Sequence, residues 1–420
     1  MKSDRIRQTI ELAAVFLAAI GLIVLLTLSQ YGSLYSATGD GDLYINMAQN
    51  LVEGHGLVNS LRNYDIITPP GLPLLIAAVL IVFRSVTAAI VLGYVAFGAG
   101  SVFLYLLARQ LFKSRLAGIV AVLLHCFHPL IILNGPRYLV TETFFVCLML
   151  AALYFFALML DRERQEKLSR NLIVFFALVT AAILVRPHLL VMLVIGLLVA
   201  VVLFVKKKVR LRTLCAAICI PVVFFGANVG YNAALHGQPV FLENYGGINL
   251  YIANNPNSLY DWYDSTQLSR FVEPYYYKLS GDGEMFPEKS ELLRERATAY
   301  MLRNPGLTAY RAMRRAQLLF TIHSYNKGYW IFALLGLAFS LVFCKRSRTQ
   351  VIMVAATALS LIAITSLGPL MLRFSVPVLP YFFLFIGGIA GVAETLLRPL
   401  LMKLLGRLRP HKDQPNAELA

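Results

Sequence analysis

The sequence predicts an all-α polytopic membrane protein. It has about ten transmembrane helices, interfacial helices in a first outer loop, and a larger, mostly helical outer loop between spans seven and eight. Three observations predict this class. Hydrophobic residues make up 58% of the 420 residues and charged residues only 14%, with a mean hydropathy of +0.67, outside the range of soluble domains. Apolar runs recur along almost the whole chain. Lysine and arginine gather in alternate turns between those runs, so the net charge of +16 reads as membrane topology rather than as a nucleic-acid surface, which would need a polar basic domain.

The apolar runs lie at about 10–29, 86–108, 116–133, 144–160, 171–185, 189–205, 213–229, 329–344, 351–370 and 375–397. With a cytoplasmic N-terminus, every inward turn carries a basic cluster. These are Lys2/Arg5/Arg7, Arg109/Lys113/Arg115, 162–170, 206–212, Lys345/Arg346/Arg348 and 398–412. The run Gly71 to Phe83 is apolar but holds only 13 residues, short of the ~20 needed to span. Counting it as a span would turn all later basic clusters outward, so it is read as an interfacial or re-entrant helix on the outer side. The chain therefore divides into a transmembrane catalytic core at 1–229 containing the first outer loop (30–85), an extracytoplasmic loop domain at 230–328, C-terminal transmembrane helices at 329–397, and a cytoplasmic basic tail at 398–420. Within the loop domain, Glu288 to Arg303 and Pro305 to Phe320 read as helices broken at Asn304-Pro305, because proline disfavours helix in the residue before it.

The five cysteines, Cys126, Cys147, Cys215, Cys219 and Cys344, lie in the predicted spans or at a cytoplasmic edge. They form no disulfide framework and no zinc pattern. Cys215 and Cys219 share a helix face and are read as packing residues, as are His125 and His128. The first apolar run lacks a small-residue cleavage site and is read as an uncleaved span. No motif requires a cofactor, and a divalent metal stays open.

Chemistry is concentrated on the outer side. The stretch Thr38-Gly39-Asp40-Gly41-Asp42-Leu43-Tyr44 follows the first span. Tyr44, Met47, Ala48 and Leu51 recur at i, i+3, i+4 and i+7, which predicts an amphipathic helix lying on the bilayer with Asp40 or Asp42 at its start. Either carboxylate suits a helix cap, and either suits a general base that takes a proton from an attacking hydroxyl. Glu142 sits at the outer mouth of the fourth span, where the helix dipole favours an acid and Thr141 is placed to cap. Arg186 and Arg373 lie in short outward turns, where topology disfavours arginine and anion binding offsets that cost. Arg137, Arg62 and Arg84 are further outward arginines, and the planar guanidinium fork matches phosphate.

The spacing Asp40-x-x-x-Tyr44-x-x-x-Ala48, Gly54-x-Gly56 and Thr68-Pro69-Pro70-Gly71 resembles the first outer loop of polytopic GT-C glycosyltransferases. The nearest branch is that of the protein O-mannosyltransferases and lipid A aminoarabinose transferases. Glu142-Thr143, Val185-Arg186-Pro187, Gly247 through Pro256, the Arg303-Asn304-Pro305 break and Leu372-Arg373-Phe374 follow in the family's order. The resemblance implies a sugar donor carried on a polyprenyl phosphate, transferred on the extracytoplasmic face with inversion in a single displacement. It places the catalytic aspartate on Asp40 and leaves the second carboxylate to Asp42 or Glu142, because the family's second acid is replaced here by Gly41.

Acceptor recognition then falls to the outer loops, where Tyr44, Tyr245, Asn254, Asn255 and Trp262 suit sugar stacking and hydrogen bonding. The expected partners are the polyprenyl-phosphate sugar donor, membrane lipids, and a lipid, glycan or protein acceptor. Nucleic acid is not among them. A bacterial inner membrane with a periplasmic site is favoured, since neither outer loop holds an Asn-x-Ser/Thr acceptor. The alternative function is a transporter or flippase of a lipid-linked or anionic sugar, which would place ionisable groups near mid-membrane.

Overall fold

The computed structural model describes residues 2–36, 39–61, 67–161, 165–258, 286–321, 328–369 and 371–408. Among them every regular element is a helix. In chain order these are α1 (Lys2–Tyr31), α2 (Gly39–Val52), α3 (Gly71–Phe83), α4 (Val86–Phe112), α5 (Arg115–Phe127), α6 (Pro129–Asn134), α7 (Thr141–Met159), α8 (Leu168–Val185), α9 (Leu190–Val205), α10 (Leu211–His236), α11 (Gly246–Ala253), α12 (Phe286–Arg303), α13 (Pro305–Thr321), α14 (Tyr329–Phe343), α15 (Arg348–Leu367) and α16 (Leu379–Leu408).

Eight of these helical segments are long and apolar enough to cross a bilayer. The pair α5 and α6 forms a ninth only if its two arms, bent by 58°, count as one span. The bend falls at His128-Pro129, where proline lacks the amide that would continue the ladder. The His128 Nδ1 accepts from Leu130 N at 3.3 Å and starts the new arm. The run expected at 329–344 forms α14 of 15 residues, about 22 Å of helix against a hydrocarbon core of about 30 Å. By length and apolarity, eight helices thus qualify as single-helix spans among the described residues, and the count of ten is not confirmed.

Helix ends follow local chemistry. Arg84 and Lys113 close α3 and α4 in the left-handed region, with φ of 50° and 53°. Ser114 starts α5, its Oγ accepting from Ala117 N at 3.0 Å. The α12 to α13 break falls at Asn304, as the proline rule requires.

The packed heart is α4, α5, α7, α8 and α16. In α7, 78% of the apolar window is buried, against 17% for α1, so α7 is central and α1 a peripheral strut. The lipid-facing side chains Leu17, Val82, Leu198 and Val205 stay exposed, as expected where the solvent is hydrocarbon. Glycines permit the closest approaches. A Cβ on Gly336 or Gly387 would collide with the carbonyl of Phe385 or Ala117 respectively. Cys215 and Cys219 turn outward on α10 instead of packing inside, whereas His125 and His128 are buried as expected.

One end of the bundle is tied by charge. Glu11 of α1 accepts from Tyr105 and pairs with Arg109 at 3.1 Å and Arg115 at 3.3 Å. Asp161 accepts from Gln110 at 2.6 Å and faces Lys113 at 3.8 Å.

Helix α3 occupies the 13 residues expected of it, about 20 Å in length. One face, Leu72, Pro73, Ile76 and Ala77, is buried, while Ile81, Val82 and Phe83 are exposed. At that length it is expected to return the chain to the side it came from rather than cross. A single cysteine at Ser85, in a background with the native cysteines replaced, is expected to react with a membrane-impermeant maleimide in intact cells. Labelling only after the membrane is opened would invert the orientation of every later helix.

Candidate active site

The site is built at the N-terminal end of α2, the first turn of α7, the end of α8 and the short turn Leu372–Ser375. Helix α2 buries Tyr44, Met47 and Ala48, as the i, i+3, i+4 pattern requires. That face packs on protein, not on lipid. Leu43, Met47 and Leu57 cluster with Tyr231 of α10, and Tyr44 and Ala48 join the main core. The amphipathic stripe is thus a docking face that fixes the first turn of α2.

Asp40 and Asp42 stand two residues apart in that turn, about 200° around the helix, so they face different partners. Asp40 Oδ2 pairs with Arg373 Nη2 at 2.5 Å. Asp42 accepts from Tyr35 Oη at 3.2 Å and so braces the loop entering α2. The two aspartates are separated in role by helix geometry.

Glu142 lies in the first turn of α7 with 2% of its side chain exposed. Its Oε1 meets Arg186 Nη1 at 2.6 Å and Arg373 Nε at 3.8 Å. Thr141, expected to cap α7, instead sits inside the helix and donates to Glu142 Oε2 at 3.3 Å. Arg186 ends α8 because Pro187 follows. Its backbone is extended, and its amide closes the helix on Ala182 O at 2.8 Å. Phe374 lies beside both arginines, 5.3 Å from Arg186 and 5.6 Å from Arg373, a cation–π platform that holds the two guanidinium groups near one another.

Electrostatics bind this group into one unit. Burial opposes the charge on Arg373, but Glu142 and Asp40 together outweigh burial and hold the guanidinium above its ordinary range. Burial foremost, then Asp40 and Glu142, pushes the Tyr44 phenol well above its ordinary value. Tyr44 therefore stays a neutral hydroxyl beside two carboxylates and two arginines. Helix α3 sets the height of Arg186, because Gly71 lies so close to α8 that a Cβ would stand 2.8 Å from the Leu184 backbone.

The second outer segment reaches the same place. Ile67 N donates to Asn244 Oδ1 at 3.0 Å and Asn244 N donates to Ile67 O at 3.2 Å, a two-bond fastening of one outer loop to the other. On either side of Asn244 stand Glu243 and Tyr245, joined by a hydrogen bond and both within electrostatic reach of Arg186.

Other residues expected in the site are placed elsewhere. Asn254 donates to Leu250 O and to Leu367 O at 3.0 and 2.8 Å, and Asn255 donates to Tyr251 O at 2.8 Å. Both are buried helix-end fasteners and present no amide to a sugar. Arg84 is exposed at the far end of α3, about 20 Å along that helix from the Gly71 contact. Arg137 lies flat against Tyr31 at 4.1 Å and near Tyr138 at 5.4 Å, and its carbonyl accepts from Ser36 N at 3.1 Å in the loop that leads to α2. Among the described residues it is a guanidinium held by aromatic rings and not by an acid. Arg62 and Trp262 lie outside the described residues. Among those described, no three His, Cys, Asp or Glu side chains converge on a metal position.

Sequence reasoning missed Glu243, Phe374 and the fastening at Asn244. The only available signal for Glu243 was an isolated acid within an aromatic and amide-rich stretch.

Comparison with known proteins adds a likeness over part of the chain. The family model described as dolichyl-phosphate-mannose-protein mannosyltransferase matches residues 68–229. Over these residues, fewer than half of the chain, the sequence is similar to that membrane mannosyltransferase family. Glu142 and Arg186 fall inside the matched stretch, while Asp40, Glu243 and Arg373 come to them from outside it. Among solved structures, the archaeal oligosaccharyltransferase AglB from Archaeoglobus fulgidus, in complex with an inhibitory peptide and a dolichol-phosphate, aligns at a TM-score of 0.48 and 12% identity. The alignment covers 97% of this chain and 53% of AglB, so the chain spans about half the length of that protein. No curated protein matches the chain.

Proposed function

We propose that this protein is a glycosyltransferase that moves a sugar from a polyprenyl-phosphate carrier to a hydroxyl of a lipid, glycan or protein acceptor on the extracytoplasmic face. The observation that carries the reading is Arg373, which bridges Asp40 at 2.5 Å and the buried Glu142 at 3.8 Å. An anion-binding group and a proton-accepting group thereby share one ion-paired cluster.

In this reading the acceptor oxygen attacks the anomeric carbon while the bond from that carbon to the phosphate oxygen breaks. The lipid phosphate departs with the bonding pair, the configuration inverts, and the acceptor proton passes to Asp40. Arg186 and Arg373 meet the charge that grows on the departing phosphate. An arriving phosphate competes with Asp40 for Arg373. Donor binding would thereby free the Asp40 oxygen to meet the acceptor hydroxyl. Glu142 keeps both arginines in place throughout, and Arg137 stands at the mouth for further anionic charge. The charged groups gather at one end of the helices rather than at mid-depth, which favours transfer at a surface over passage of a solute.

The test is a pair of titrations with purified enzyme in lipid nanodiscs, using labelled polyprenyl-phosphate sugar. Arg186→Lys and Arg373→Lys keep the charge but lose the planar fork. Each is expected to raise the KM for donor by about tenfold or more, leaving the acceptor KM nearly unchanged. Unchanged donor dependence in both the Lys and Ala variants would leave Arg137 and Arg62 as the phosphate ligands.

A further inference from the structure

A third carboxylate, Glu243, reaches the site from the second outer segment, and its surroundings differ from those of Asp40 and Glu142. Each of those two faces an arginine within salt-bridge distance. Among the described residues Glu243 has no such partner. It accepts from Tyr245 instead, with Arg186 acting on it from farther off. Burial foremost pushes its carboxyl upward, against the opposing pull of Tyr245 and Arg186.

The pair is rigidly presented. Asn244, between the two, is buried and fastened by two hydrogen bonds to Ile67, one through its backbone and one through its side chain, and Leu242 is sealed in the main core. Two residues on, a Cβ at Gly247 would collide with the Ser290 carbonyl of α12. Neither Glu243 nor Tyr245 is itself sealed, since both side chains keep partial exposure. Both stand within electrostatic reach of Arg186, and Tyr245 also of Tyr44.

We propose that Glu243 and Tyr245 bind hydroxyl groups of the donor sugar and that Glu243 determines which sugar is accepted. The inference rests on the donor reading above. A carboxyl joined to a phenol offers several acceptor sites and a rotatable donor on adjacent atoms, a match to neighbouring hydroxyls on a sugar ring. It is a poor match to phosphate, which a carboxylate repels and for which Arg186 and Arg373 stand ready. Hydrogen bonds from a rigid, partly desolvated pair discriminate strongly, because a ring lacking the right hydroxyl leaves a polar group unpaired. Phosphate binding and sugar choice are thereby assigned to different side chains.

Binding separates these assignments without requiring turnover. Purified protein in detergent is titrated with undecaprenyl phosphate and with its mannosyl, glucosyl and arabinosyl derivatives, and affinities are read by native mass spectrometry. The wild type is expected to prefer at least one glycosylated lipid over the bare lipid by about tenfold, the worth of one or two good hydrogen bonds. Glu243→Gln and Tyr245→Phe should reduce that preference towards unity without changing affinity for the bare phosphate. Gly246→Ala leaves charge untouched but places a Cβ 3.0 Å from Glu243 Oε1. It should weaken the preference by displacing the carboxyl. Thermal melting confirms that each variant is folded. An unchanged preference in Glu243→Gln and Glu243→Ala overturns the assignment, as does a wild type that binds bare and glycosylated lipids equally well. A wild type that binds none of the four lipids removes the donor reading and this inference together.

Discussion

Asp40→Asn is expected to abolish transfer while leaving the protein folded and inserted. The substitution preserves shape and removes only the proton-accepting oxygen, and loss of a positioned base typically costs about 10²- to 10⁴-fold in rate. Asp40 is also the more exposed partner of its ion pair, at 34% of its side chain. Loss of that partly solvated pair is accordingly worth little to stability, so the loss of rate is readable on an intact protein. Labelled donor lipid in nanodiscs, quantified by product release, measures it, with the melting temperature as the control. Asp42→Asn is the matched comparison. Asp42 meets Tyr35 at 3.2 Å rather than the arginines, so its loss should loosen the loop before α2 and lower turnover by a small factor. Near-normal transfer by the Asp40 variant would move the base elsewhere, and a collapse of transfer in the Asp42 variant alone would exchange their roles.

Glu142→Ala is expected to damage both stability and activity. The carboxylate is almost wholly buried and serves two arginines at 2.6 and 3.8 Å, with Arg186 itself only 11% exposed. Removing one member of a buried pair leaves an uncompensated charge, at a typical cost of roughly 3–5 kcal/mol. The melting temperature in detergent should fall clearly, and donor affinity should fall with it because Arg186 and Arg373 lose their common anchor. Glu142→Gln keeps the volume and some hydrogen bonding and should fall between wild type and Ala. A double variant, Glu142→Gln with Arg186→Gln, removes both charges. It should recover part of the lost stability but none of the donor binding, a pattern that a purely structural role would not give. Wild-type melting in Glu142→Ala would show that the arginines are satisfied without it.

The sequence by itself determined the class of molecule and most of its elements. Apolar length and the asymmetry of Lys and Arg are one-dimensional quantities, so the spans could be read directly, including the inability of Gly71–Phe83 to cross. Local breaks were equally legible. Asn304-Pro305 and Val185-Arg186-Pro187 end helices because the proline ring forbids continuation, whatever surrounds it. Asp40 and Glu142 were visible as acids at helix starts, and Arg186 and Arg373 as charges in short outward turns where topology makes arginine expensive.

Only the tertiary structure decided how those charges are used. No spacing rule joins Asp40, Glu142 and Arg373, because their contact depends on α2, α7 and the Leu372–Ser375 turn meeting at one end of the bundle. The same applies to the apolar stripe of α2, whose pattern is identical for a helix on lipid and for one docked on protein. It applies as well to Asn254 and Asn255, whose amides are taken by carbonyls of α11 and α15. The length of α14 and the bend between α5 and α6 leave eight helices that qualify singly as spans, since hydropathy registers apolar residues but not the point at which the backbone turns. Glu243 was the least legible of all. Its importance comes from the Ile67–Asn244 fastening, a contact between segments far apart in the chain that no local pattern encodes.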